Sequence, residues 1–255
     1  MSERLLVLFD GNAIVHRAYH AFLNTRPLTV SKTGEIVSAV YGFANILLKT
    51  VNDIKPTDWA VAFDTAAPTF RHEMYVEYKA HRPKTPDELV NQFGRVKELV
   101  AAFNIPIFEL EGFEGDDVIG TLSRQASELD IDTVIVTGDG DAMQLVNPRV
   151  KVLYPKRGGS IGDTMLYDEA AVFERYGVKP ENIADYKALV GGLDLFIPAA
   201  IVSVYLEQRR QCRDVLDVGD RDGCEQVVLE CHLHQRSSDT AETVDCDPSH
   251  ASVPF

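Results

Sequence analysis

The stretch IPIFELEGFEGDDVIGTLSRQASEL, residues 105–129, decides how the chain is read. It opens as a strand over IPIFEL, turns through Gly112 and Gly115, and continues as a helix from Asp116 to Leu129. Between strand and helix lie Glu114, Asp116 and Asp117, with Glu111 just upstream. One or two acids at a helix start complement the dipole and the free backbone N–H groups there. Three acids so close together repel one another unless something positive sits among them, and a metal ion is the obvious counter-charge.

Working outward, the same order of strand, acid and helix recurs. RLLVLFDGN begins with a continuous apolar run, the pattern of a strand covered on both faces, and ends at Asp10. Ala39 to Ile54 has helical spacing and stops before Pro56. Trp59 to Asp64 reads as a second buried strand that again ends in an acid. Asp87 to Phe103 is a long amphipathic helix, with Pro86 before it and Leu89, Phe93, Val96, Leu99 and Val100 on its apolar face. Asp132 to Asp141 is a fourth strand with Asp139 and Asp141 just past its end, and Val150 to Tyr154 is a fifth.

This alternation predicts an α/β fold, a mostly parallel central sheet with helices on both faces. Such sheets bind ligands at the carboxyl ends of their strands. Asp10, Asp64, Glu114, Asp116, Asp117, Asp139 and Asp141 all fall at or just beyond predicted strand ends. Each taken singly reads as a turn residue or helix cap. Four strands delivering acids to one edge read as a metal site. An all-carboxylate site selects Mg²⁺ or Mn²⁺ over zinc. Two such ions side by side suit phosphodiester hydrolysis. No Ser-His-Asp or Cys-His arrangement, P-loop or GxGxxG is present, so neither a covalent nucleophile nor an organic cofactor is expected.

The formal net charge of −14 argues against a diffuse basic surface but leaves room for a separate basic patch. TFRHEMYVEYKAHRPKTP, residues 69–86, supplies one: Arg71, Lys79, Arg82 and Lys84 are interleaved with Phe70, Tyr75 and Tyr78. It could be a solvated loop. Its place between acid-bearing strands instead marks it for a scissile phosphate and a single-stranded end, since aromatics stack on unpaired bases. The longest apolar run, Leu193 to Leu206, contains Pro198 and is shorter than the roughly twenty residues that span a bilayer. No membrane association and a cytoplasmic location are expected. Cys212, Cys224, Cys231 and Cys246 form no CxxC pair and are expected to be free thiols.

LFDGNAIVHRAYHA, VAFDTAAPTFRHEMYVEYKAHRP, FEGDDVIGTL, VTGDGDAMQLV and YGVKPENIADYKALVG together resemble the 5′-nuclease domain of bacterial DNA polymerase I and its flap-endonuclease relatives. The likeness runs from Leu5 to about Gly191. It implies a PIN-like 5′-nuclease fold with a helical arch, and 5′→3′ exonuclease and flap-endonuclease action on DNA in replication and repair. It implies two ions: Asp10, Asp64, Glu114 and Asp116 at the first, and Asp116, Asp139 and Asp141 at the second, with Asp117 supporting. Lys79 and Arg82 match the basic pair placed beside the reacting phosphate, and Arg71 a further phosphate contact. Tyr78 and Lys84 belong to the same DNA-binding segment. The implied partner is DNA with a free 5′ end, flap or nick, and a polymerase domain in the parent protein.

Two departures stand out. Gly140 occupies a position where the family usually has Lys or Arg. After Gly191 the family continues with an Asp-bearing segment and a glycine-rich helix–hairpin–helix. Here GGLDLFIPAAIVSVYLEQRRQ follows, with Gly192 and Leu195 where the two second-site aspartates belong and Asp194 between them. Residues 1–191 are therefore expected to form the catalytic domain. Residues 192–255 are expected to be a divergent, poorly ordered tail, as a frameshift or truncation would leave it, with a lineage-specific C-terminus as the alternative. The expected activity is impaired, and two other functions stay open: a non-catalytic remnant that binds DNA weakly, and another metal-dependent phosphohydrolase using the same edge.

Overall fold

The computed structural model describes residues 4–23, 27–75, 77–156 and 162–190. The expected divergent tail, with Gly192, Asp194 and Leu195, lies outside the described residues. A six-stranded sheet forms the centre, in the order β3-β2-β1-β4-β5-β6. Its strands are β1 (Leu5–Asp10), β2 (Asp58–Ala62), β3 (Ile107–Phe108), β4 (Asp132–Val136), β5 (Val150–Pro155) and β6 (Thr164–Tyr167). The first five pair in parallel and β6 closes the edge antiparallel to β5.

Parallel central strands need cover on both faces, and the residues supply it. Val7, Leu8 and Phe9 are all buried in succession. Val7 and Phe9, with Val61, Phe63, Val134 and Val136, join a core with Ile14, Val15 and Ala18 of α1 (Gly11–Phe22). Phe43, Ile46 and Leu47 of α2 (Ser38–Ile54) and Leu89, Val96 and Val100 of α4 (Asp87–Ala102) complete it. Residues alternate across a strand, so Leu8 and Ile135 face the other way, the side on which α5 (Gly115–Glu128) packs against β1 and β4.

The chain leaves β1 toward β2 and β3 on one side and β4 on the other. The carboxyl ends of β1 and β4 therefore border the point where strand order reverses, the place where such sheets open a crevice. Helix α1 starts there with no intervening loop. Asp10 is its N-cap, accepting from Ala13 N–H at 2.9 Å. Gly11 permits the abrupt turn, because a Cβ on it would meet the Phe63 ring at 2.3–2.7 Å. Gly11→Ala is expected to destabilise the fold by about 1–3 kcal/mol, the range for overpacking a core, as measured by urea unfolding.

Three expectations change. The strand predicted over residues 105–110 shortens to Ile107–Phe108, since Pro106 has no N–H for the ladder and only its carbonyl serves, accepting from Val61. The fourth strand ends at Val136, and Gly140–Leu145 wind into a 3₁₀ helix capped by Asp139. The implied helical arch is replaced, among the described residues, by the short α3 (Phe70–Met74) followed by turns through residue 81. Lys79 there has a left-handed backbone (φ 57°), and Pro83 and Pro86 follow, so no helix continues. Helices α6 (Glu169–Tyr176) and α7 (Ile183–Val190) end the described chain.

Candidate metal centre

Of the sequence-marked acids, Asp10, Asp64, Glu114, Asp116 and Asp139 lie near enough at the carboxyl edge of the sheet to act on one another electrostatically. Asp10 is buried at the end of β1, where its second oxygen accepts from Thr137 Oγ1 at 2.6 Å. Thr137 Oγ1 in turn accepts from Asp139 N–H at 2.9 Å, which ties the ends of β1 and β4 together. Asp64, just past β2, is held from two sides. Asn12 Nδ2 donates to its Oδ2 at 2.9 Å, and Gly115 N–H, in the first turn of α5, donates to its Oδ1 at 2.6 Å. A Cβ on Gly115 would lie 3.1 Å from that same oxygen, so the glycine lets the helix end approach the carboxylate.

Asp116 and Asp117 diverge, as consecutive positions on a helix must. Asp116 faces the other acids. Asp117 turns toward α3, where Arg71 grips both its oxygens at 2.7 and 2.8 Å and Glu114 N–H donates to it at 3.0 Å. Burial opposes the Arg71 charge, but Asp117 and Glu114 outweigh it and hold the guanidinium firmly protonated. Arg71, implied as a phosphate contact, joins α3 to α5 through this pair.

The basic segment also folds onto the acids. Lys79 Nζ lies 2.8 Å from Glu114 Oε1, and Tyr78 Oη donates to Glu114 Oε2 at 3.2 Å. Tyr78 ionises far less readily than usual because it is buried beside Glu114. Arg82 is exposed and acts electrostatically on Tyr78 and His16. Lys84 stands apart, in an exposed pair with Asp87 at 3.6 Å. Asp141, on the 3₁₀ helix, pairs with Lys187 of α7.

Electrostatics set the chemistry of this edge. Burial raises the Asp10 carboxyl from 3.8 to about 6, with Asp64 and Asp139 adding to the rise against the Thr137 and Ala13 hydrogen bonds. Asp116 is pushed well above its ordinary value by the protein crowded round it, then by Asp10, Asp139, Asp64 and Glu114. Its side chain still opens to solvent, where the crowding of like charges opposes its ionisation alongside burial. Among the described residues no three acid, His or Cys groups converge closely enough to enclose an ion. Lys79 pairs with Glu114, Arg71 with Asp117 and Lys187 with Asp141. The donor set, all carboxylate, fits a hard divalent cation.

The family described as 5′-3′ exonuclease, N-terminal resolvase-like domain, matches residues 5–177. The chain belongs to that family. DNA polymerase I of Chloroflexus aurantiacus is 48% identical over 199 residues, which are 78% of this chain and 21% of that protein. DNA polymerase I of Bacillus subtilis is 42% identical over 199 residues, 78% of this chain and 22% of that protein. The chain thus spans about a fifth of the length of these relatives. Among solved structures, the bacteriophage T5 protein co-crystallised with metal ions aligns with a TM-score of 0.58 at 20% identity, covering 76% of this chain and 69% of that one. The T5 flap endonuclease complex with DNA and metal ions aligns at 0.56 and 20%, covering 75% and 68%. At that identity the likeness establishes the shared fold.

For this exonuclease-family chain the raised acids have a thermodynamic consequence. An acid whose folded pKa is raised binds its proton more tightly when folded. Between 3.8 and about 6 the folded state then carries the extra proton, and stability falls as pH rises through that window. The metal-free protein is expected to melt at a lower temperature at about pH 7 than at about pH 5 on this account, and millimolar Mg²⁺ is expected to recover the loss chiefly at the higher pH. Thermal melts with and without EDTA check both.

The structure also displays residues that the sequence reading left out. Thr137, Asn12 and Lys187 contact the acids directly. Thr137 and Asn12 each sit within three residues of an acid in a quoted motif, and that proximity is the signal that could have found them. A small cavity of about 70 Å³, lined by Ile46, Lys49, Asp53 and Leu153 among others, lies against α2 and holds none of the candidate residues. No described helix is long and apolar enough to cross a membrane.

Proposed function

We propose that this chain is a divalent-metal-dependent 5′→3′ exonuclease and flap endonuclease, acting in the cytoplasm on DNA with a free 5′ end, flap or nick, with residues 1–191 as the catalytic unit. The observation that carries the reading is the set of carboxylates, Asp10, Asp64, Glu114, Asp116, Asp139 and Asp141, delivered by separate elements to one edge beside a basic segment. Membership of the 5′-3′ exonuclease family supports it.

Asp10, Asp64, Glu114 and Asp116 would hold a first Mg²⁺ or Mn²⁺, and Asp139 and Asp141 would present to a second with Asp116 between them. Bound divalent cations supply an activated water and neutralise charge on the reacting phosphate. The chain's own groups do the rest. Thr137 and Asn12 hold the Asp10 and Asp64 carboxylates in place by hydrogen bonds. Lys79, paired with Glu114, and Arg82, exposed in the same segment, would offer their charges to the phosphate. Tyr78 offers a ring on which an unpaired base can stack. Arg71 keeps α3, and with it the basic segment, docked on α5. Gly192 and Leu195 stand where second-ion aspartates are expected, so turnover is lower than an intact site would give.

The test is cleavage of a 5′-flap duplex by the full chain in Mg²⁺ and in Mn²⁺, with a 3′-flap duplex, RNA and a small phosphate ester as comparators. Selective 5′-flap cleavage is expected. Preference for the small ester would replace this reading with a different phosphohydrolase, and DNA binding without cleavage would leave a non-catalytic remnant.

A further inference from the structure

Lys187 enters the acid edge from α7, outside the sheet. Its ammonium pairs with Asp141 Oδ1, and Asp139 and Asp116 are the other carboxylates on which its charge acts. The side chain is well placed to stay there. Ile183, at the start of the same helix, is fully buried, and the Tyr186 ring packs edge-on against Tyr176 at 5.7 Å. Gly140 makes the room: a Cβ there would lie 3.3 Å from Lys187 Nζ and 3.4 Å from Tyr176 Oη. The glycine and the lysine therefore fit one another.

We propose that Lys187 is a built-in counter-cation for the Asp139–Asp141 side of the site, occupying with its ammonium the position from which a second divalent ion would neutralise these acids. The inference rests on the metal-dependent reading above. A lysine ammonium in contact with a carboxylate repels an arriving dication and holds one of its two nearest ligands. The chain then holds one divalent ion firmly, near Asp10, Asp64 and Asp116, and takes a second only by displacing Lys187. Lys187 is a positioning residue in this account. It sets how many ions the site holds.

The experiment is a Mn²⁺ titration of the full chain, counting bound ions by electron paramagnetic resonance of the free ion and by calorimetry. The wild type is expected to bind one Mn²⁺ firmly. Lys187→Met is expected to acquire a second, with affinity raised by about tenfold or more over the wild type's second event. Lys187→Arg, which keeps the charge, is expected to behave as the wild type. Lys187→Gln, which also removes the charge, is expected to shift in the same direction as Lys187→Met and serves if that variant does not fold. The same number and affinity of ions in wild type, Lys187→Met and Lys187→Gln overturns the inference and leaves the metal-dependent reading standing. Absence of Mn²⁺ binding in all of them overturns both.

Discussion

Replacing Asp116 by Ala is expected to lower the single-turnover rate of 5′-flap cleavage by about 10³-fold or more, on the order of 4 kcal/mol in barrier, while raising the melting temperature of the metal-free protein. Both effects have one cause. Asp116 faces Asp10, Asp64, Glu114 and Asp139, and each adds to the cost of its ionisation. Without a divalent cation, that crowding is repulsion stored in the fold. With one, on the proposed reading, Asp116 would be a ligand, so its loss would remove a ligand from whatever is bound. Relief of repulsion should appear as a rise of roughly 2–4 °C for each kcal/mol recovered in a chain of this size. Asp116→Asn should behave alike, because the charge matters more than the shape. A variant that is both less active and less stable would mean that Asp116 supports the fold and not a cation.

The second large effect is on stability. Arg71 and Asp117 form a two-pronged pair with side chains only 18% and 9% exposed, so neither charge has much water to fall back on. Arg71→Ala leaves Asp117 uncompensated beside Glu114, and losing one partner of such a buried pair costs about 3–5 kcal/mol. The cation also lies over the Phe70 ring at 4.6 Å, so the change further loosens α3. Arg71→Lys should recover part of the loss, since an ammonium keeps the charge but cannot grip both oxygens. Urea unfolding measures this directly, as a shift in midpoint with little change in slope. A cost below about 1 kcal/mol would mean that water reaches this pair as it does a surface one.

The parallel sheet was legible because buried strands are written as unbroken apolar runs, as in Leu5–Phe9, and the acids were legible because each closes such a run. Helix α1 was not read from spacing. Asp10-Gly11 after a strand looks like a turn, although Asp10 also caps a helix whose apolar positions Ile14, Val15 and Ala18 follow at helical spacing. Strand β6 is hard to read from sequence because Met165 and Leu166 are exposed on an edge, without the alternation that marks a half-buried strand. The links within the site were the least visible part. Thr137 reaches Asp10 across 127 positions and Arg71 reaches Asp117 across 46, and no local pattern records a pairing set by topology. For the same reason Arg71 and Lys79 read from sequence as cations free for a phosphate, whereas the fold engages both with acids.

The carboxylate edge is expected to hydrolyse DNA at a 5′ end with the help of divalent cations. The most direct measurement is single-turnover cleavage of a labelled 5′-flap duplex by the full chain while Mg²⁺ is titrated from an EDTA-treated start. Product that is absent in EDTA and rises with Mg²⁺ is the predicted result. No product at any Mg²⁺ or Mn²⁺ concentration, from protein shown to be folded, would contradict it.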